Sequence, residues 1–246
     1  MPWFEDESFW RDLYPYMFPP ERLAAASDQV EKILKLTGFR GRTVLDLCSG
    51  PGRHAVELAL HGFDVTGIDR SKFLLERARQ KAGETGVSVT WVESDMRRWR
   101  FPQAFDLICN LYTSFGYFED ARDNLRVLRN VRRHLAPGGV LFMEMLGKER
   151  LSRVWQSAMC ADYEDGALLV QRPQLRADMS RVHSQWILLK DGRYRSWEFE
   201  HWVYSGAELK DMLRTAGFKD VKLYGDFEGA PYGVEAKRLI AVARKA

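Results

Sequence analysis

Apolar positions in this chain follow two rhythms. Short apolar runs ending near glycine or an acidic residue alternate with longer stretches whose apolar side chains recur three and four apart. The runs beginning at Thr43, Phe63, Val87, Phe105 and Val140 read as strands, and Pro51–His61, Ser71–Gly83 and Asp120–Leu135 as the helices between them. Strands alternating with helices predict a parallel sheet covered on both faces, a doubly wound α/β fold. Ahead of it, Asp6–Leu13 and Pro20–Leu36 carry helical periodicity, with Gly38 as a stop. The rhythm breaks over Trp155–Tyr204. There Leu168–Arg172, Val182–Leu189 and Tyr194–Val203 alternate with a period of two, and Lys190-Asp191-Gly192-Arg193 supplies a hairpin turn. This predicts an antiparallel β insertion before a last helix at Ser205–Ala216. A closing pair, Asp220–Tyr224 and Arg238–Ala243, follows. The expected organisation is one domain over residues 1–246. Residues 1–42 form an N-terminal helical lid, 43–146 a ligand-binding core, 155–204 the β insertion, acting as a cap, and 205–246 the final helix and hairpin.

Composition excludes little and directs less. Of 246 residues, 46% are hydrophobic, enough for an ordinary packed core. The balance of 37 basic and 34 acidic residues leaves +3, too slight to imply nucleic acid. Arg97-Arg98-Trp99-Arg100 is the dense basic cluster near the strand tips, read as a solvated loop or a phosphate patch. Cys48, Cys109 and Cys160 lack metal-type spacing, so no metal is expected, and they suit a reducing, cytoplasmic setting. No apolar run approaches the roughly 18 residues of a membrane span, and the N-terminus is too acidic for a signal peptide. The oligomeric state stays open, a homodimer included.

The chemistry concentrates in Thr43-Val44-Leu45-Asp46-Leu47-Cys48-Ser49-Gly50-Pro51-Gly52-Arg53-His54, a strand running into a glycine turn and a helix. Gly50 and Gly52 let backbone approach a ligand, and the following helix points its amides into the same crevice. Formally the turn also fits the dinucleotide fingerprint G-x-G-x-x-G/A. Asp46, four residues before the first glycine, would repel a pyrophosphate but suits the cationic amino-acid end of S-adenosylmethionine. Val44–Gly52 resembles motif I of the class I S-adenosylmethionine-dependent methyltransferases, with Cys48 replacing the first glycine of D/E-x-G-x-G-x-G. The later motifs follow in that family's order. Phe63–Asp69 ends in a carboxylate, with Arg70 beside it. Val87–Met96 ends in Asp95 and Met96, Phe105–Asn110 forms a fourth strand, and Ala136-Pro137-Gly138-Gly139 precedes a fifth.

The resemblance implies a Rossmann-like seven-stranded sheet with an antiparallel last strand, and S-adenosylmethionine as cofactor with S-adenosylhomocysteine as product. It assigns the amino-acid end to Asp46 and the turn residues Cys48, Gly50 and Gly52. The ribose goes to Asp69, with Arg70 adjacent, and the adenine to Asp95 and the Met96 amide. Asn110 falls beside the methyl-bearing sulfur. An acid at the Asp69 position serves dinucleotides as well. Asp106 reads as a solvated turn residue, and His54 has both a helix-packing and a catalytic reading.

The β insertion resembles that of small-molecule enzymes such as amino-sugar and glycine N-methyltransferases. Asn110-Leu111-Tyr112-Thr113 lacks the prolines of the adenine and amide N-methyltransferase motif. No appended RNA-binding module is recognisable. A small-molecule acceptor is therefore expected, at nitrogen or oxygen, with no nucleic-acid partner. Tyr112, Tyr117 and His201 are the candidate catalytic residues, with Ser114, Tyr204, Asp226, Glu228 and Tyr232 as further acceptor-side candidates. The aromatic N-terminal segment, from Trp3 to Phe18, reads as a sheet cover or as a lid. RNA or protein methylation, a non-catalytic cofactor-binding module and an NAD(P) oxidoreductase are the alternatives.

Overall fold

The computed structural model describes residues 2–246. Its central sheet is built from β1 (Thr43–Leu47), β2 (Asp64–Asp69), β3 (Thr90–Glu93), β4 (Phe105–Asn110), β5 (Leu135–Met145), β10 (Lys219–Tyr224) and β11 (Leu239–Arg244), in the order β10-β11-β5-β4-β1-β2-β3. Helices α4 (Arg53–Leu60), α5 (Lys72–Thr85) and α6 (Ala121–His134) connect the parallel strands. Val44, Leu45 and Leu47 are fully buried because helices cover both sheet faces, which is why this strand reads as an unbroken apolar run. One core layer gathers around Leu45, Ile108 and Leu141, the other around Val44, Leu107 and Phe142. β11 runs antiparallel to β5, with Leu239 opposite Met145. Strand order reverses between β1 and β4, so their carboxyl ends open a crevice there.

The second sheet is the predicted insertion, enlarged. It holds β6 (Met159–Asp162), β7 (Leu168–Leu175), β8 (Arg181–Lys190) and β9 (Arg193–Trp202), antiparallel throughout. Asp191 and Gly192 both take positive φ, 52° and 69°, as a two-residue hairpin turn requires. The insertion leaves and re-enters the core at one place. Gly147 bridges Tyr204, and the Lys148 amide donates to the Tyr204 carbonyl at 3.0 Å.

Several boundaries differ from those expected. The first helix, α1 (Glu7–Met17), continues past Leu13 because Phe9, Leu13 and Tyr16 form one buried stripe. That stripe packs on Leu169, Leu188, Trp197 and Phe199 of the insertion, so the two aromatic segments cover each other. The single helix expected over Pro20–Leu36 is divided into α2 (Pro20–Ala24) and α3 (Ala26–Thr37). Helix α7 (Lys148–Val154) and strand β6 were not foreseen; each is short, and none of their residues is buried. β5 begins at Leu135, and Pro137-Gly138-Gly139 forms an irregularity in its pairing with β4. Asp106 lies at the start of β4 and away from the strand tips, as expected, but half-buried: its carboxylate accepts from the Arg42 and Thr43 amides and the Thr43 hydroxyl, pinning the start of β1. The basic cluster splits, with Arg97 paired to Asp95 and Asp123 while Trp99 is buried. Among the described residues no helix is long and apolar enough to cross a membrane.

Candidate active site

At the carboxyl ends of β1, β2 and β4 lies a cavity of about 1070 Å3, its mouth included. The motif I turn forms its floor. Ser49 donates its amide to the Ile68 carbonyl at 2.8 Å, fastening the turn to β2. Gly50 and Gly52 have φ of 54° and 76°, and Cys48 holds φ 62° although it carries a side chain. The position where the family pattern has glycine is thus left-handed here too. Gly52 is needed for a different reason from Gly50. A Cβ at Gly52 would lie 2.6 Å from the Trp91 ring and 2.9 Å from the Ala78 Cβ, whereas one at Gly50 would meet only the Phe18 ring at 3.8 Å. Gly52 therefore permits helix–strand packing, and Gly50 faces the cavity.

Asp46 is buried at the tip of β1, and its Oδ2 has no hydrogen-bond partner. Burial pushes its carboxyl up to about 7, with Asp69 adding to the effect and Arg53 opposing it. Arg53 is equally buried. Its Nη1 donates to the Arg22 carbonyl at 2.9 Å and to Gln29 Oε1 at 3.2 Å, while Nη2 is unpartnered. Ser49 Oγ is unpartnered as well. Three buried polar groups of both signs thus face one cavity unsatisfied, a costly arrangement unless a ligand completes it. An unpaired carboxylate beside an unpaired guanidinium suits a zwitterionic amino-acid end. Arg53 was not singled out from sequence. A signal existed: a cation in the first turn of a helix opposes the macrodipole.

Asp69 accepts the Gly50 amide at 2.8 Å and the Ser71 amide at 2.9 Å, joining the turn to the start of α5. Asp69, Arg70, Asp95 and Met96 all reach the cavity wall. Arg70 is nevertheless committed elsewhere, pairing with Glu5 at 3.0 Å and Glu93 at 3.3 Å. The Asp95 carboxylate is taken up by Arg97, through the backbone amide at 2.8 Å and Nε at 3.0 Å. Asn110 stands just behind the wall, donating to the Leu47 carbonyl at 3.0 Å, with Oδ1 unpartnered. His54 fits its helix-packing reading: it shares a 2.8 Å hydrogen bond with Gln29, and burial holds its pKa well below the ordinary value.

The acceptor side is aromatic. Trp3, Phe4 and Trp10 line the cavity together with Tyr112, Tyr117 and Phe118, and the Phe4 and Phe118 rings meet edge to face at 6.1 Å. Tyr112 and Thr113 both take positive φ, 61° and 58°. Buried Glu144 holds them there, accepting the Tyr112 amide at 2.7 Å on its carboxylate and the Thr113 amide at 3.1 Å on its carbonyl; Arg238 pairs with the same carboxylate. The Tyr112 ring lies 4.7 Å from Arg53 and 4.9 Å from Arg22. Tyr117 packs against Trp3 and His201, each with ring centroids 5.1 Å away, and burial pushes its phenol above the ordinary value. His201 sits behind Tyr117 on the same face of β9 as Trp197 and Phe199, its Nδ1 unpartnered. Burial lowers its pKa to about 4, so the ring is neutral at pH 7.

Other acceptor-side candidates do not gather here. Tyr204 is buried in the main core and accepts from Asn124 at 2.9 Å. Asp226 caps its own loop, Glu228 pairs with Lys32 at 2.6 Å, and the Tyr232 hydroxyl donates to Glu149. Ser114 reaches the cavity wall, but its hydroxyl donates to the Leu111 carbonyl at 2.7 Å. Among the described residues no three His, Cys, Asp or Glu side chains converge on a metal-type cluster.

A doubly wound sheet with an antiparallel last strand, open at tips that carry Asp46, Asp69 and Asp95, defines a class I methyltransferase fold. Residues 44–139 match the family model described as a methyltransferase domain. The chain is 27% identical over 208 residues to the cypemycin N-terminal methyltransferase of Streptomyces sp, covering 83% of this chain and 84% of that one. It is similar in structure to the CcbJ methyltransferase from Streptomyces caelestis, with a TM-score of 0.80, 22% identity and 90% of each chain covered. It is also similar to SAM-bound CalS10, an amino pentose methyltransferase from Micromonospora echinaspora, with a TM-score of 0.71, 20% identity and 96% of each chain covered. This protein is an S-adenosylmethionine-dependent methyltransferase.

Proposed function

We propose that the enzyme methylates a nitrogen of a small-molecule amine held between the N-terminal segment and the β insertion. The observation that carries this reading is the protonation chemistry of the chamber. His54 and His201, the imidazoles beside it, are both pushed down by burial, and burial raises the Tyr117 phenol. A hydroxyl acceptor needs a competent base, whereas a neutral amine attacks with its own lone pair. The chamber is poorly equipped for the first and adequate for the second.

The bound cofactor supplies an electrophilic sulfonium methyl group. Asp46 and Arg53 would hold its amino-acid end, Asp69 its ribose hydroxyls, and the wall at Met96 its adenine. The side chains of Trp3, Phe4 and Trp10 exclude water, while Tyr112 and Tyr117 orient the amine at roughly the 3–3.5 Å that displacement requires. His201, whose ring packs at a tilt against Tyr117, helps to fix that ring. In this reading the N-terminal segment acts as a lid.

The test is incubation with methyl-labelled cofactor and a panel of amino sugars, short peptides with free N-termini, phenols and bulk RNA, read by mass spectrometry. Label is expected in amines, with activity nearly independent of salt. Label in phenols alone would overturn the nitrogen assignment. Label in RNA, with activity falling steeply between about 50 and 200 mM salt, would overturn the small-molecule one.

A further inference from the structure

We infer that Glu7 and Arg70 are positioning residues that latch the N-terminal segment over the cavity and couple its closure to the strand tip carrying Asp69. Only the coupling rests on the cofactor reading above.

The latch is made of polar contacts between segments more than sixty residues apart. Glu7, in the first turn of α1, reaches the start of α5. Its Oε1 accepts the Lys72 amide at 2.9 Å, and its Oε2 accepts the Phe73 amide at 3.0 Å and the Ser71 hydroxyl at 2.9 Å. These amides have no partner within their own helix, and the helix dipole favours a carboxylate there. Yet α5 already owns a cap, since Ser71 Oγ accepts the Leu74 amide at 3.2 Å. A second, imported carboxylate is not needed to start the helix, and what it adds is a tether. Arg70 repeats the tether one residue before that cap, pairing with Glu5 at 3.0 Å.

The same residues reach the cavity. Ser71 donates its amide to Asp69 Oδ1 and its hydroxyl to Glu7, so Asp69, Ser71 and Glu7 form one hydrogen-bonded chain. The segment that Glu7 anchors puts Trp3, Phe4 and Trp10 on the cavity wall. On its other side α1 is held by apolar packing on the insertion. The insertion side also carries the Arg195–Asp12 ion pair and the 2.8 Å hydrogen bond that the Tyr16 hydroxyl donates to Asp165. The α5 side, by contrast, adds the Tyr14–Phe73 ring contact to polar contacts that are partly exposed, with 41% of the Arg70 side chain accessible. A cofactor resting on Asp69 orders the same chain that Glu7 uses, so each favours the other.

Hydrogen exchange of the full chain tests this, without ligand and with saturating S-adenosylhomocysteine. In Glu7→Ala without ligand, the amides of residues 7–17 should exchange about tenfold faster, while those of α5 and the strands hold. The ligand should slow that exchange in the wild type, and Glu7→Ala should weaken its binding severalfold. Glu7→Gln keeps the packing and replaces the alanine variant if that fails to fold. Unchanged exchange without ligand overturns the latch, whatever the ligand does. Loosening of α5 equal to that of α1 reduces Glu7 to a structural cap and likewise overturns it. Faster exchange with unaltered ligand affinity overturns the coupling. A wild type that fails to bind the ligand overturns the cofactor reading instead, and the ligand-free comparison still judges the latch.

Discussion

Replacing Asp46 with asparagine should stabilise the ligand-free protein and cripple cofactor binding. The carboxyl titrates at about 7 in the fold against an ordinary 3.8, because burial disfavours its charged form. Its folded pKa lies above the unfolded one, so the native state holds the proton more tightly. Stability is then lost as pH rises from 3.8 to about 7, and the full cost persists above that. That interval corresponds to about 4 kcal/mol, an upper bound. The asparagine amide is itself left short of partners, which costs about 1–3 kcal/mol. The net gain at pH 8 should be about 1–3 kcal/mol, or roughly 2–12 °C in Tm for a chain of this size. At pH 5 much of the difference should vanish. Binding should respond in the opposite sense, with Kd for S-adenosylhomocysteine rising by about 10- to 100-fold as a charge-assisted contact is lost. Wild-type binding near pH 6 should also release a proton, seen as a buffer-dependent calorimetric heat absent in the variant. Thermal melts at pH 5 and pH 8 with calorimetry check the argument. A variant no more stable than the wild type at pH 8, with unchanged Kd, would refute it.

The two turn glycines should fail differently. Gly52→Ala drives a methyl into Trp91 and Ala78 and should destabilise the fold by about 2–4 kcal/mol, overpacking and left-handed strain combined. Gly50→Ala adds only the backbone strain, about 1–2 kcal/mol, so denaturant unfolding should rank it clearly the milder. Tyr117→Phe should lower kcat/KM on the accepted amine by about tenfold if its hydroxyl orients that amine. His201→Phe should leave the pH–rate profile following the amine's own ionisation; a limb that disappears near pH 4 in this variant would make His201 the base after all.

Much of the cofactor side was legible because buried parallel strands announce themselves. The apolar runs ending at Asp46, Asp69 and Asp95 marked three strand tips, and all three line the cavity. Arg53 went unnoticed because its partners, Gln29 and the Arg22 carbonyl, lie in helices that no local pattern ties to the turn. The acceptor side was harder for the same reason. Period-two alternation placed Trp197, Phe199 and His201 on one face correctly, yet alternation says nothing about what covers that face. Tyr204 stands only three residues beyond His201, but past the end of β9 its side chain enters the main core. Asp226, Glu228 and Tyr232 looked suited to a cationic substrate, and each is occupied by a contact far from it in sequence or within its own turn. Glu7 carries no mark of its own in the sequence, an acid in the first turn of a helix being ordinary. Its distinction lies wholly in Ser71, Lys72 and Phe73.

Because Gly147 and Tyr204 meet where the insertion departs and returns, the segment between them is joined to the core like a drawer to a cabinet. The strands of the central sheet pair with one another without passing through it, β5 with β4 and β11 and β4 with β1. A lineage can therefore lengthen or shorten residues 148–203 without touching the order of the central strands, provided that Trp202 keeps its hydrogen bonds to Gly116 and Phe118 and the sheet keeps its packing on α1.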